Sequence, residues 1–361
     1  MLFRAILITA GVAQMIAAIL ALRLQWRYKW HSTWLLISGA AVVMTAQIAA
    51  TLNTIWDVDP SLIKDTNLWA TCLTSLVASI LFLGGVALIR PLFEEIAKAE
   101  EILKREKQLL ETRVQETEEE LLLARRIQQD LLPSESPNLA GFEIAGISRP
   151  AEWTSGDYFD YIMLEDGSVI IVVADVSGHG TGPALLMSST RAFLRGITHS
   201  CVDVGTILTL ANRAIADDVR HGRFVTAFLA NIDPHSRSMT YAAAGHVGFL
   251  IDTDGTVTEL HSNAPPLGAL RDTQIDRVGP IQLREGQILL LLTDGIPETQ
   301  SSEGEQFGMD RAIQLVYEKR GLPVDKILLA LYRATARFSD EAPQNDDITA
   351  VLVRVGSDPN V

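Results

Sequence analysis

Ser155-Gly156-Asp157-Tyr158-Phe159-Asp160 opens a run that reaches about Leu164, and Glu165-Asp166-Gly167 follows it as a turn signal. The stretch after it, Ser168-Val169-Ile170-Ile171-Val172-Val173-Ala174-Asp175, is nearly all apolar and β-branched until its last residue. Such a run predicts a buried central strand that ends in a carboxylate. Two strands of about equal length joined by a tight turn form an antiparallel hairpin, which brings the start of one beside the end of the other. Asp157 and Asp175 are therefore expected to be neighbours.

The same construction recurs further along. Gln287-Ile288-Leu289-Leu290-Leu291-Leu292-Thr293 ends in Asp294-Gly295, and Asn345-Asp346-Asp347 precedes a final strand, Ile348 to Val355. If these strands pair antiparallel, Asp294 and Asp346 also meet at one sheet edge. A single Asp-Gly is most often a turn and nothing more. Two carboxylate pairs at strand ends would repel strongly unless positive charge sat between them. Oxygen donors without a His or Cys companion favour Mg2+ or Mn2+ over zinc. Two such ions ~3.5 to 4 Å apart can lower the pKa of a water between them and clamp phosphoryl oxygens during in-line attack. Phosphomonoester hydrolysis is the chemistry this pattern suits.

The rest of the chain sets the context. With 361 residues, two or three folding units are expected. A formal net charge of -14 and the absence of a clustered Lys/Arg surface argue against a nucleic-acid partner. Cys72 and Cys201 lie too far apart for a disulfide framework or a metal-ligand spacing. The mean hydropathy of +0.19 is high for so charged a chain, and the apolar residues concentrate in the first ninety positions.

Three apolar stretches there, near Ala5 to Leu22, Trp34 to Ile55 and Leu68 to Ile89, each approach the ~20 residues a membrane-crossing helix needs. Arg23, Arg27 and Lys29 follow the first, whereas Asp57, Asp59 and Asp65 against Lys64 follow the second. The positive-inside bias then puts the N-terminus outside and everything after Arg90 in the cytoplasm. Trp26, Trp30, Trp34, Trp56 and Trp69 fall near the interfaces that amphipathic rings favour. The expectation is a multi-pass module of the cell inner membrane, serving as an anchor or as a sensor.

From Pro91 to Asp130 the chain has the Glu/Lys/Arg/Gln/Leu composition of a long solvated helix. Ile96, Leu103 and Leu110 repeat by sevens before the register slips to Val114 and Leu121. A dimerising coiled coil fits this pattern, as does one amphipathic helix packed on its own domain. Pro133 and Pro137 end it. The division expected is 1–90 transmembrane, 91–133 linker and 141–355 catalytic.

Taken in order, several segments resemble the metal-dependent protein phosphatases, and among them the bacterial SpoIIE/RsbU branch. They are Ala124-Arg125-Arg126-Ile127-Gln128-Gln129-Asp130-Leu131-Leu132-Pro133, Arg149-Pro150-Ala151-Glu152, Ser155 to Asp160, and Asp175-Val176-Ser177-Gly178-His179-Gly180. Ala244-Gly245-His246, Thr293-Asp294-Gly295 and Asn345-Asp346-Asp347-Ile348-Thr349 complete the set. The resemblance implies an α+β fold, an α-β-β-α sandwich, placed here after three transmembrane helices and the coiled-coil linker. It further implies two divalent cations, Mn2+ or Mg2+, with Asp175 bridging them, Asp157 completing one coordination shell, Asp294 and Asp346 on the other ion, and the Val176 carbonyl in the place of the family's backbone ligand. Asp160 and Asp347 are supporting candidates. The pattern also departs from that of eukaryotic relatives. Ser177 stands where they carry a general-acid histidine, which leaves His179 either as that acid or as a loop or substrate contact. Trp153 stands where they carry a phosphate-binding arginine, with Arg149 a possible substitute. His246 is either functional or a turn residue.

By this resemblance the substrate is a phosphoserine or phosphothreonine on a partner protein, an anti-sigma-factor antagonist, and the linker is the regulatory element that forms a homodimer. An inactive scaffold of the same fold would lack some of the four carboxylates. A nucleotidyl cyclase would leave Asp294 and Asp346 unexplained.

Overall fold

The computed structural model describes residues 2–28, 31–56, 66–219, 222–340, 342 and 344–357. By its internal contacts the chain divides into two compact units, Met1–Gln115 and Glu116–Val361.

The first unit contains α1 (Leu2–Tyr28), α2 (His31–Trp56) and the start of α3 (Thr66–Gln129). Leu7, Ala10 and Ile48 pack together between α1 and α2, and the Arg4 guanidinium donates to the Trp56 carbonyl at 2.9 Å while lying over its ring. Three spans were expected. Among the described residues only two helices are long and apolar enough to cross a membrane, within Arg4–Arg23 and Leu73–Gln129. Within α2, a helix of 26 residues, the described stretch Ile37–Asn53 is apolar. The expected external loop, with Asp57, Asp59, Lys64 and Asp65, lies outside the described residues, as does Lys29. The third apolar stretch and the linker form one helix, because Pro91 stands inside α3 without ending it. Along the linker Leu103, Leu110 and Val114 are exposed.

The second unit begins with the last turns of α3 and then builds two five-stranded sheets. One has the order β1 (Phe142–Arg149), β10 (Ile348–Val355), β9 (Ile288–Leu292), β6 (Gly248–Ile251), β7 (Val257–Leu260). The other has the order β2 (Tyr158–Met163), β3 (Val169–Val176), β4 (Val225–Asp233), β5 (Ser238–Ala244), β8 (Val278–Gln282). Strand side chains alternate between faces, so each central strand feeds two cores. From β3, Val169, Ile171 and Val173 meet Leu289, Leu291, Val351 and Val353 between the sheets. Ile170, Val172 and Ala174 point the other way, toward α4 (Thr181–Thr198) and α5 (Val204–Asp218). Leu290 and Leu352 likewise face α6 (Met309–Glu318) and α7 (Val324–Phe338). Helices, sheet, sheet, helices is the layering that results, with a double apolar face explaining why β3 and β9 read as unbroken apolar runs.

Candidate metal centre

Both expected hairpins form. β2 and β3 pair antiparallel with Tyr158 opposite Ala174, so Asp157 and Asp175 are the next facing pair, and the Val176 N–H donates to the Gly156 carbonyl at 3.3 Å. β9 and β10 pair antiparallel with Leu292 opposite Ala350, and the Thr293 N–H continues the ladder to the Thr349 carbonyl at 2.9 Å. Asp294 and Asp346 leave the ends of these two strands. The two sheets are stacked so that both ends meet: the Thr293 hydroxyl donates to the Asp157 carboxylate at 2.7 Å, across the gap between them.

The electrostatics follow from this crowding. Burial pushes the Asp157 carboxyl far above the ordinary carboxylate range, and the charge of Asp175 adds to the effect. Asp175 is pushed up to about 7, first by burial and then by Asp294 and Asp346, while a hydrogen bond with Asp157 acts in the opposite sense. Desolvation and then Asp346 raise Asp294; desolvation also raises Asp346, where His179 opposes the shift. Asp294 and Asp346 nevertheless keep exposed surface, which is what decides whether an ion can enter. Among the described residues no three His, Cys, Asp or Glu side chains close around one point. An all-oxygen donor set whose members repel one another fits hard divalent cations, so Asp157, Asp175, Asp294 and Asp346 could hold them.

Beyond the bond from the Val176 N–H to the Gly156 carbonyl, the loop that carries Asp157 is fastened by side chains. Asp347 accepts from the N–H of Ala151 at 2.8 Å and of Gly156 at 2.7 Å. With both oxygens used this way, Asp347 acts as a brace. Two glycines permit the close approach: a Cβ on Gly156 would stand 2.9 Å from the Val176 carbonyl, and one on Gly295 would stand 2.0 Å from the Asp347 carbonyl. Asp160, by the strand alternation, lies on the opposite face of β2 from Asp157. It is fully buried, takes two bonds from the Arg195 guanidinium at 2.6 and 2.7 Å, and accepts from the Tyr158 hydroxyl. Its role is to tie β2 to α4.

The histidines separate. His179 stands exposed at the rim, its Nδ1 3.0 Å from the Glu152 carboxylate and its charge felt by Asp346. His246 is buried beneath the site, with Nδ1 3.2 Å from the hydroxyl of Thr226, the residue paired with Asp175 across β3 and β4. Burial pushes the His246 imidazole down to about 4, so it is neutral at physiological pH. The Arg149 guanidinium lies over the Tyr332 ring, 5.9 Å from its centroid. Sequence reasoning assigned no role to Thr293, Glu152 or Gln128, although each lies inside a quoted motif. Their positions become meaningful only once the two sheets and the entering helix are stacked.

A family model described as "Stage II sporulation protein E (SpoIIE)" matches residues 165–356. Phosphoserine phosphatase RsbU of Bacillus subtilis (strain 168) is 28% identical over 242 residues, which span 66% of this chain and 71% of that protein. Phosphoserine phosphatase RsbP of the same organism is 31% identical over 191 residues, 52% of this chain and 47% of that one. The solved SiaA-PP2C domain of Pseudomonas aeruginosa superposes with a TM-score of 0.60 at 24% identity, over 66% of this chain and 97% of that domain, and shares the fold.

Proposed function

We propose, on the premise that this chain belongs to the SpoIIE family of PP2C-type serine phosphatases, that its four-carboxylate mouth is a two-cation centre where phosphoserine or phosphothreonine on a regulatory protein is hydrolysed. One observation carries this reading: Asp175 sits within electrostatic range of Asp157, Asp294 and Asp346 although these come from different sheets. Asp175 would be shared between the two cations, Asp157 with the Val176 carbonyl would help hold one, and Asp294 with Asp346 the other. When bound, Mn2+ or Mg2+ supplies a water of lowered pKa and positive charge opposite the phosphoryl oxygens. The protein's part is to hold those carboxylates in place through Thr293 and Asp347, and to deliver a proton to the leaving serine oxygen.

His179 is our candidate for that proton. With Nδ1–H directed at Glu152, its Nε2 is free to face a substrate at the rim. Replacing His179 with alanine is expected to slow hydrolysis of a phosphoserine peptide roughly 10^2-fold. An aryl phosphate, whose leaving group needs no proton, should lose little. Equal losses on both substrates would remove the general-acid assignment.

The membrane reading rests on the two apolar helices, with the catalytic domain on the cytoplasmic side and the division 1–90, 91–133 and 141–355 as its frame. Exposed leucines along the linker support a homodimer through that helix. RsbU-type relatives support an anti-sigma-factor antagonist as the phosphorylated partner. The test is phosphate release from a phosphoserine protein by the full chain in detergent micelles, with Mn2+ and then with excess chelator. Release that appears with Mn2+ and stops with chelator is expected. A chain that binds the phosphoprotein but releases nothing with either Mn2+ or Mg2+ would instead be the inactive scaffold.

A further inference from the structure

A groove of about 820 Å³ opens beside the carboxylate mouth, with Gly295 and Asp346 at the end they share. Thr335 and Ile348, both buried, line its base. One bank is the turn after Asp294, from Glu298 to Ser302, and the other is the end of α7 with Asp340 just beyond it. Every charged side chain that lines the groove is a carboxylate, namely Glu298, Asp340 and Asp346, and among the described residues no Lys or Arg joins them. The arginines nearby are engaged elsewhere: Arg149 lies over the Tyr332 ring, and Arg311 pairs with Glu305 while stacking on Phe338.

The hydroxyl donors around the groove are turned inward. Thr335 and Ser339 donate to carbonyls of α7 at 2.8 and 3.1 Å, Thr299 donates to the Gly295 carbonyl at 2.7 Å, and Ser302 to the Asp340 carboxylate at 2.6 Å. What a ligand meets is therefore acceptors and negative charge. Glu298 is fixed by its own N–H, which donates to the Asp294 carbonyl at 2.8 Å. After burial and Asp346, its charge is the next influence that raises the Asp294 carboxyl, so it stands within electrostatic range of the mouth. Cations held by Asp294 and Asp346 would compensate the charge of those two residues, whereas Glu298 and Asp340 keep theirs.

We propose that this groove receives a Lys or Arg side chain of the phosphoprotein close to its phosphoserine, with Glu298 and Asp340 as the residues that select it. This rests on the phosphatase reading above. A solvated acidic face on a chain of net charge -14 is the plain alternative. Such a face attracts any basic peptide through its overall field, and losing one carboxylate anywhere weakens that attraction equally. A groove acts at one position of the peptide and through its own carboxylates alone.

The experiment uses the full chain in detergent micelles at saturating Mn2+. Phosphoserine peptides carry one Lys, or one Glu, at each position within about four residues of the phosphoserine, since an extended chain advances ~3.3 Å per residue. An aryl phosphate serves as the substrate without a peptide. At the position that reaches the groove, kcat/KM is expected to be about tenfold higher with Lys than with Glu. Glu298→Gln and Asp340→Asn should each reduce that ratio to about threefold, through KM, with kcat and aryl phosphate turnover within about twofold of the unchanged chain. Asparagine also tolerates the left-handed backbone of Asp340, where φ is 53°. Asp254→Asn, an equal change of charge on the turn between β6 and β7, should leave the ratio at about tenfold. Should one groove variant fail to fold, the other decides. Equal rates with Lys and Glu at every position overturn the proposal, as does a ratio that Asp254→Asn lowers as much as the groove variants do. Turnover of the aryl phosphate without turnover of any peptide also overturns it. An unchanged chain that hydrolyses neither kind of substrate overturns the phosphatase reading, and the groove's role with it.

Discussion

Asp175→Asn is expected to abolish turnover while making the metal-free protein more stable. The loss follows from its proposed place between two cations: charge stabilisation worth several kcal/mol corresponds to roughly 10^3-fold or more in rate. The gain follows from electrostatics. The Asp175 carboxyl titrates near 7 in the folded protein, against about 3.8 for its ordinary value. Between those two pH values the folded state holds more protons than the unfolded state, so the stability of the metal-free protein falls as pH rises through that window. The penalty at pH 8 is on the order of 3 kcal/mol, shared among carboxylates that titrate together. Asparagine removes this charge. Melting in chelator at pH 5 and pH 8 checks it: the unchanged chain should melt lower at pH 8, and the variant should show a smaller difference. An equal difference would mean that Asp175 is not the focus of repulsion. With Mn2+ present the order reverses, because only the unchanged chain gains stability from the ion.

Arg195→Ala is expected to cost about 3 kcal/mol of stability, more than Asp160→Asn, although both break the same pair. Asp160 is fully buried while the Arg195 side chain is 42% exposed. Removing the arginine strands a charge that water cannot reach. Removing the carboxylate charge leaves a guanidinium that turns toward solvent and an amide that still accepts from the Tyr158 hydroxyl. The melting transition of Arg195→Ala should fall by roughly 5–10 °C. Melting within a degree of the unchanged chain would show that Asp160 is rehydrated or protonated at no cost.

The carboxylate geometry was readable because it follows from strand arithmetic. Apolar runs that end in aspartate fixed the hairpins, and the alternation of faces already separates Asp157 and Asp175 from Asp160. The phase of β3 and β9 was not legible, since residues buried on both sides leave no polar break to show which face is which. Contacts between elements were not legible either. The bond from Gln128 to Ser155 joins a helix end to a loop, and that of Thr293 to Asp157 joins two sheets; neither has a periodic signature. The boundary at residue 90 follows a change of composition, whereas α3 runs across it as one helix with Pro91 inside.

The last strand to be synthesised, β10, lies between β1 and β9 rather than at a sheet edge, and Asp346 immediately precedes it. A growing chain emerges from its N-terminus onward, so three of the four carboxylates leave the ribosome while the slot for β10 is still empty. The partly made domain has neither its full ligand set nor a closed sheet. A chain cut short before Asp346 would therefore lack both that carboxylate and the strand that joins β1 to β9, and is expected to release no phosphate.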